Sequence, residues 1–376
     1  MKASLTTTIL AALIAPVTAL ADTANVNIYG NFDVSYDSIN TGTATKGTQG
    51  TTSARVSSNT SFLGVKGTVD AGPGLTALWQ AETLINVGNT AANANNNGGT
   101  LGNRNTYVGI KSEDYGTVII GRYDTPYRLS TRLFDAFDRG IADNRSILGG
   151  SNVAAKISFD GRQDQLIGYT SPNLHGAVFS VARANLNPTV NLGGQYQGNA
   201  TSLAAWYRTD GYYGTLAYEQ HNLQNAANSS YLGSESAVKL GAGYTRDGKY
   251  TVGLFIEQTK DNIGTGGANL YGHSTYYLSG KYFTGEAGAI KAAYTRAGNL
   301  GGGTNTGASQ ASVGYDYYLN KRVTLYALYT RLNNAPAANY SLSIYNGTAA
   351  SVGGPGTIAG TGASPSALAA GMLITF

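Results

Sequence analysis

Apolar and polar residues alternate singly along most of this chain. In the stretch opening at Asn25, the positions Val26, Ile28, Phe32, Val34 and Tyr36 share one parity with Gly30. Asn25, Asn27, Asn31, Asp33, Ser35 and Asp37 share the other, where Tyr29 also sits. A strand sends successive side chains to opposite faces, whereas a helix repeats every three to four residues, so this period predicts a strand. The texture returns further on. Val238, Leu240, Ala242 and Tyr244 oppose Lys239, Gly241, Gly243 and Thr245, and Tyr250, Val252, Leu254 and Ile256 oppose Thr251, Gly253 and Glu257. Gly288, Ile290, Ala292 and Tyr294 oppose Lys291 and Thr295, and Val323, Leu325, Ala327 and Tyr329 oppose Arg322, Thr324 and Thr330. A last strand sets Leu368, Ala370, Met372, Ile374 and Phe376 on one side.

The connections fall into two classes that alternate. Short ones lie at 71–74, 113–116, 172–176, 210–211, 246–249, 284–285 and 320–321, with Gly, Pro, Asn or Asp supplying turn chemistry. Long ones, rich in Gly, Asn, Thr, Ser and Ala, lie at 40–57, 88–102, 125–160, 187–199, 223–234, 261–273, 298–308 and 333–364. Seven short and eight long connections predict sixteen strands in one all-β domain.

Composition then narrows the solvent. Charged residues make up 12% of the 376, with 25 Lys+Arg against 21 Asp+Glu, beside 51 Gly, 27 Tyr and no Cys. Soluble domains carry about 25% charged residues, so half the usual water-facing charge is missing. Beyond the first two dozen residues no apolar run approaches the ~20 needed for a membrane helix. The lack of Cys excludes disulfide staples and zinc-thiolate sites. A dispersed net charge of +4 excludes nucleic acid as a partner. Residues 1–21 read as a secretory signal, with Lys2, an apolar stretch from Ile9 to Val17 and a small-x-small end at Ala19-Leu20-Ala21. Cleavage after Ala21 leaves 22–376 as the exported domain.

An exported sheet with an apolar face on every strand and a sparsely charged second face fits lipid outside and water inside. In hydrocarbon every backbone N–H and C=O must pair within the protein, so a spanning sheet closes into a barrel with short turns at one rim and long loops at the other. Tyr29, Tyr36, Tyr244, Tyr250, Tyr294, Tyr315 and Tyr329 are candidates for interfacial girdles. Eight strands leave an interior filled by side chains, whereas sixteen leave an aqueous channel. The expected function is passive diffusion of ions and small hydrophilic solutes. Catalysis is not expected: His175, His221 and His273 have no serine or carboxylate spaced for a relay, and there is no G-x-S-x-G elbow. No cofactor or metal is called for. A substrate-specific channel and a surface adhesin barrel are the alternatives.

Six stretches in order carry a family resemblance: Val26-Asn-Ile-Tyr-Gly-Asn-Phe-Asp33, Ser61-Phe-Leu-Gly-Val-Lys-Gly67, Arg104-Asn-Thr-Tyr-Val-Gly-Ile110, Tyr115-Gly-Thr-Val-Ile-Ile-Gly-Arg122 with Thr125-Pro126, Gly168-Tyr-Thr-Ser-Pro172, and the final Phe376. Together they resemble the trimeric general porins of Gram-negative outer membranes, of the β-proteobacterial kind. The resemblance implies a homotrimer in a lipid bilayer with lipopolysaccharide, and Phe376 as the address read by the outer-membrane assembly machinery. It also implies that the third long loop, 125–160, folds into a sixteen-stranded barrel and narrows it. Asp135 and Asp138 would then form the acidic side of the constriction, and Lys66, Arg104, Arg122 and Arg162 the basic wall facing it. Two positions depart from the family pattern. Phe62 stands where a basic residue is usual, and Asp138-Arg139 stand where glycines are usual. Strict parity puts Arg104 on the side of Val108 and Ile110, so that strand must bulge for Arg104 to face water.

Overall fold

The structure, a computed structural model, describes residues 25–47, 49–85, 87, 101–149, 159–187, 196–262, 268–342 and 361–376. The predicted signal segment lies outside them. Seventeen strand segments follow in order: β1 (Asn25–Asn40), β2 (Thr52–Ser58), β3 (Phe62–Asp70), β4 (Leu75–Leu84), β5 (Thr106–Ser112), β6 (Gly116–Asp124), β7 (Arg162–Thr170), β8 (Ala177–Leu186), β9 (Tyr196–Thr209), β10 (Tyr212–Asn225), β11 (Tyr231–Arg246), β12 (Tyr250–Asp261), β13 (Ser274–Phe283), β14 (Gly288–Ala297), β15 (Ala308–Tyr318), β16 (Val323–Asn334) and β17 (Ser366–Thr375). Each pairs antiparallel with its neighbours, and β17 returns to β1 in a register that sets Val34 opposite Met372. β2 pairs with β1 from Val34 to Asn40 and β3 pairs with it from Asn25 to Asn31. They are therefore two halves of one wall strand, broken at Asn59–Ser61, where Thr60 takes a φ of 64°. The result is a closed barrel of sixteen strands with no free edge.

Burial is inverted relative to a soluble protein, as the two parities require. On β11, Leu240 is 56% exposed while its neighbour Lys239 is fully buried. On β12, Leu254 and Ile256 face outward while Phe255 and Glu257 are buried inward. The short connections fall where the turn residues placed them. Asp210 and Gly211 both take positive φ, the primed turn that suits a two-residue hairpin.

Several long connections are shorter than the sequence suggested. The segment 40–57 contains β2, and β10 and β11 run into 223–234. These extensions are short and mix Ala54, Val56, Leu223 and Leu232 with polar neighbours, so they lack the sustained apolar parity that marks a lipid-facing stretch. β2 is held instead by polar contacts, among them Ser57 Oγ donating to Asp37 at 2.5 Å and Arg55 3.6 Å from the same carboxylate. Among the girdle candidates, Tyr36, Tyr294, Tyr315 and Tyr329 are exposed on the outer face. Tyr244 sits in a row with Tyr212 and Tyr250, at ring separations of 4.6 and 6.1 Å. Tyr29 turns the other way: its hydroxyl donates to Glu82 at 2.8 Å, inside the barrel.

Candidate pore constriction

The third long connection begins where Thr125 caps a single helical turn, α1 (Pro126–Leu129). The Thr125 hydroxyl accepts from the Arg128 N–H, and Pro126 occupies the position whose own N–H has no partner in a helix. Two short 3-10 turns follow, Arg132–Phe134 and Asn144–Ser146. The segment runs along the inner wall and is fastened to it at intervals. The Tyr127 hydroxyl donates to Glu257 Oε2 at 2.7 Å, and the Gly149 N–H donates to Glu257 Oε1 at 2.9 Å. Lys239 Nζ lies 3.0 Å from Asp160, 3.4 Å from the Thr131 hydroxyl and 4.1 Å from the Tyr127 ring centroid.

The tip of the segment has its own seat. Gly243 and Gly253 are cross-strand partners on the inner face of β11 and β12. Phe134 lies so close over them that a Cβ on Gly253 would stand 2.1 Å from the Phe134 Cβ. Ser279 donates to the Phe134 carbonyl, and the Tyr277 hydroxyl donates to Asp135 Oδ1 at 2.6 Å. Beyond the tip, a cavity of about 380 Å³ opens between residues 133–141 and the wall residues Asp33, Lys281, Lys291, Asp316 and Tyr326.

The predicted acids behave differently from each other. Asp135 is buried against the wall, bonded by Tyr277 and 3.7 Å from Arg132. Its carboxyl is pushed up to about 6, first by burial and then by Asp143 beside it. Asp138 has a side chain 45% exposed to the channel, with Arg139 at 3.6 Å and Arg132 at 3.8 Å. Only Asp138 presents charge to water.

The predicted cations separate as well. Arg104 is brought inward as the bulge argument requires: its N–H donates to the Glu82 carbonyl, one residue out of step with the Gln80–Tyr107 pairing. Its guanidinium lies over the Phe62 ring at 4.6 Å and 3.4 Å from Glu82. Phe62 therefore supports a cation at the position where one was expected. Lys66 is exposed, with Nζ 4.7 Å from the Tyr29 ring centroid. Arg162 is tied to Asp124 at 3.0 Å and to the Asn105 side chain. Arg122 departs from the expected wall. Its register with Thr106 places it on the outer parity of Val108 and Ile120, where it pairs with Asp164.

Sequence reasoning missed three inward residues of the same lumen. Lys281 and Lys291 share Asp316 at 3.1 and 2.8 Å, and Lys291 lies over the Phe137 ring at 4.9 Å. Parity was enough to find them, since each lies on the polar side of a spanning strand. The reading of His221 also changes. It is not at a strand end without carboxylates; it sits within β10 between Glu219 at 2.9 Å and Glu235 at 2.7 Å, with Phe159 stacked on its ring. Both ring nitrogens are engaged and the residue is fully buried, so it presents nothing to the channel. Phe376 stacks on Phe32 at 6.0 Å and exchanges backbone hydrogen bonds with Gly30, closing the ring beside β1.

Comparison with known proteins agrees with this architecture. A family model described as Gram-negative porin matches residues 6–336. The major outer membrane protein P.IB of Neisseria lactamica is 29% identical over 255 residues, covering 66% of this chain and 69% of that protein. Among solved structures, the anion-selective porin from Comamonas acidovorans superposes with a TM-score of 0.70 at 22% identity, covering 94% of this chain and all of that one. The trimer form of OmpT from Vibrio cholerae gives 0.64 at 13% identity, covering 94% of this chain and all of that one. OmpF of Salmonella typhi gives 0.62 at 16%, covering 93% and 97%. A closed sixteen-strand barrel, apolar toward lipid and polar within, is thus joined to a family match over most of the sequence, and the chain belongs to the Gram-negative porins, outer-membrane channels for passive diffusion.

Proposed function

We propose that the channel is a general diffusion pore whose aperture is set by residues 125–149, with Asp138 as the acidic element and Lys66, Arg104 and Arg162 as the charged wall. Opposed charges across a narrow aqueous gap orient water, disfavour apolar solutes and weight the passage of ions by sign. The observation that carries this reading is the pinning of the loop to the inner wall through Phe134, Asp135, Tyr127 and Gly149. Arg122 is left out of the wall because its register faces outward. Phe376 serves as the assembly address, and three copies form the working unit, in line with the trimer form of the Vibrio neighbour.

Reversal potential in a salt gradient tests the filter. Asp138→Asn should move it toward anions and Lys66→Gln toward cations. If neither value moves, these residues are not the filter. Cross-linking in mild detergent tests the trimer, and a monomer alone would refute it.

A further inference from the structure

We propose that the inner wall of β4–β8 holds a recess for small aromatic monocarboxylates, in which a hollow lined by Leu78, Tyr107, Ile119, Tyr123 and Leu129 takes the ring and Lys66 takes the carboxylate. It rests on the reading of Lys66 as part of the charged wall. The hollow follows from the pairing of the strands. One rung sets Tyr107 opposite Gly121 and Gly121 opposite Leu166, and the next runs Leu78–Gly109–Ile119–Gly168. Of these glycines Gly168 lines the hollow, and its missing side chain lets Leu166 and Ile119 lie low against the sheet, 3.2 and 3.4 Å from where its Cβ would stand. The result is a recess of about 250 Å³, roofed by Pro126 and Leu129 of the loop. A cavity of ~150 Å³ suffices for benzene, so the volume admits a single ring. Tyr107 and Tyr123 meet edge to face there with centroids 5.0 Å apart, an arrangement that offers an aromatic guest both a ring face and a ring edge.

The hollow joins aliphatic and aromatic side chains to the hydroxyls of Thr117, Thr170 and Ser180 and the carboxylate of Asp124, and the charges near it indicate the sign of its guest. Asp124, the carboxylate lining it, is taken: Arg128 and Arg162 both lie 3.0 Å from Oδ1, and Asn105 donates to Oδ2 at 3.1 Å. The floor hydroxyls of Thr170 and Ser180 bond each other at 3.0 Å. Lys66 lies two strands from Tyr107, across Gln80, on the same inner face. Strand spacing makes that about 10 Å, so Lys66 Nζ, seated 4.7 Å from the Tyr29 ring centroid, must swing across β4 to meet a carboxylate on a ring in the hollow. Among the described residues Lys66 has no carboxylate within ion-pair distance, whereas Arg104 and Arg162 have theirs. A cation with no carboxylate partner, near a hollow that accepts a ring, selects an aromatic anion over an aromatic cation or a short aliphatic acid.

The test is the block of ion current through the purified protein in planar bilayers, with each variant's block taken as a fraction of its own current in KCl. Benzoate should block saturably, at a concentration at least about tenfold below acetate, while benzylammonium should not block. Leu78→Gln, or Leu129→Asn if the first does not fold, should raise the half-blocking benzoate concentration about tenfold. Equal block by benzoate and acetate, block by benzylammonium as strong as by benzoate, or undiminished benzoate block in both leucine variants would overturn the proposal. Lys66→Gln keeps the two readings apart. An unchanged reversal potential with benzoate block lost refutes the charged wall and supports the recess. A shifted potential with block retained does the reverse.

Discussion

Gly253→Ala is the sharpest test of how the aperture is set. The added methyl would stand 2.1 Å from the Phe134 Cβ and 2.7 Å from its Cγ. Carbon atoms rest about 3.5–4.0 Å apart, so the loop tip must retreat by roughly 1.5 Å. The Phe134 carbonyl and the Asp135 carboxylate are held by Ser279 and Tyr277 on β13, and a retreat of that size breaks both bonds. A neutral bond contributes about 1 kcal/mol and one to a carboxylate about 1.5–3, so the seated position loses about 3 kcal/mol. That is roughly a hundredfold in population. The barrel wall stands behind Phe134, so the tip has only the lumen to move into. Single-channel recording in molar KCl should show a smaller unit conductance with added flicker. Gly280→Ala is the control for a methyl added to the neighbouring strand: its register with Val252 turns the Cβ to the outer face, where it meets nothing nearer than the Thr251 carbonyl at 3.6 Å. Equal conductance and noise in the wild type and Gly253→Ala would refute the idea that the glycine seat positions the tip.

Three further outcomes follow from the same contacts. Asp135→Asn should leave reversal potential nearly unchanged where Asp138→Asn shifts it, because the Asp135 side chain is 1% exposed and that of Asp138 is 45% exposed; equal shifts would contradict the assignment. Lys239→Met strands the buried carboxylates of Asp160 and Glu257, a loss of about 3–5 kcal/mol, visible as a lower urea midpoint by tryptophan fluorescence in micelles. Asp135 titrates near 6 because burial and Asp143 disfavour its charge. The native state therefore keeps a proton that the unfolded chain has released between about pH 4 and 6. Its stabilising share is full below about pH 4 and is lost as pH rises through 6, so the urea midpoint should fall over that interval in the wild type and less in Asp135→Asn.

Strand number, closure and the sense of each face were legible because lipid on one side and water on the other leave a period of two in every spanning segment. The polar extension β2 was not, since beyond the lipid band neither face need be apolar. Tyr29 reads as a girdle residue because tyrosine suits both a headgroup belt and a wet lumen. Yet its parity, shared with Asn27, Asn31 and Asp33, already places it inside, where its hydroxyl meets Glu82. The inward turn of Arg104 was foreseen as a bulge, because its parity conflicted with any role in water. The failure at Arg122 has the same origin in reverse. Its place in a motif suggested the wall, yet parity from Val118 and Ile120 already placed it outward. Asp135 and Asp138 lie in a loop without periodicity, so which of them meets water depended on Tyr277, a residue 142 positions away.

The contacts that hold this protein together also set the size of its opening. A soluble barrel of side chains would pack its interior from the wall strands. Here the outer face turns its apolar residues to lipid, and three of the four buried clusters inside combine wall residues with the loop. Phe137, Ile141 and Ile147 join one, Tyr127 and Phe159 another, and Phe134 and Leu148 a third. Glu257 bonds Tyr127 on the outgoing limb and Gly149 on the returning one, so one carboxylate fixes the distance between them. Evolution toward a wider pore by shortening the loop would remove apolar cover from the wall at the same step. Aperture is therefore more readily changed at the water-facing residues of the tip, such as Asp138 and Arg139, which no buried cluster contains.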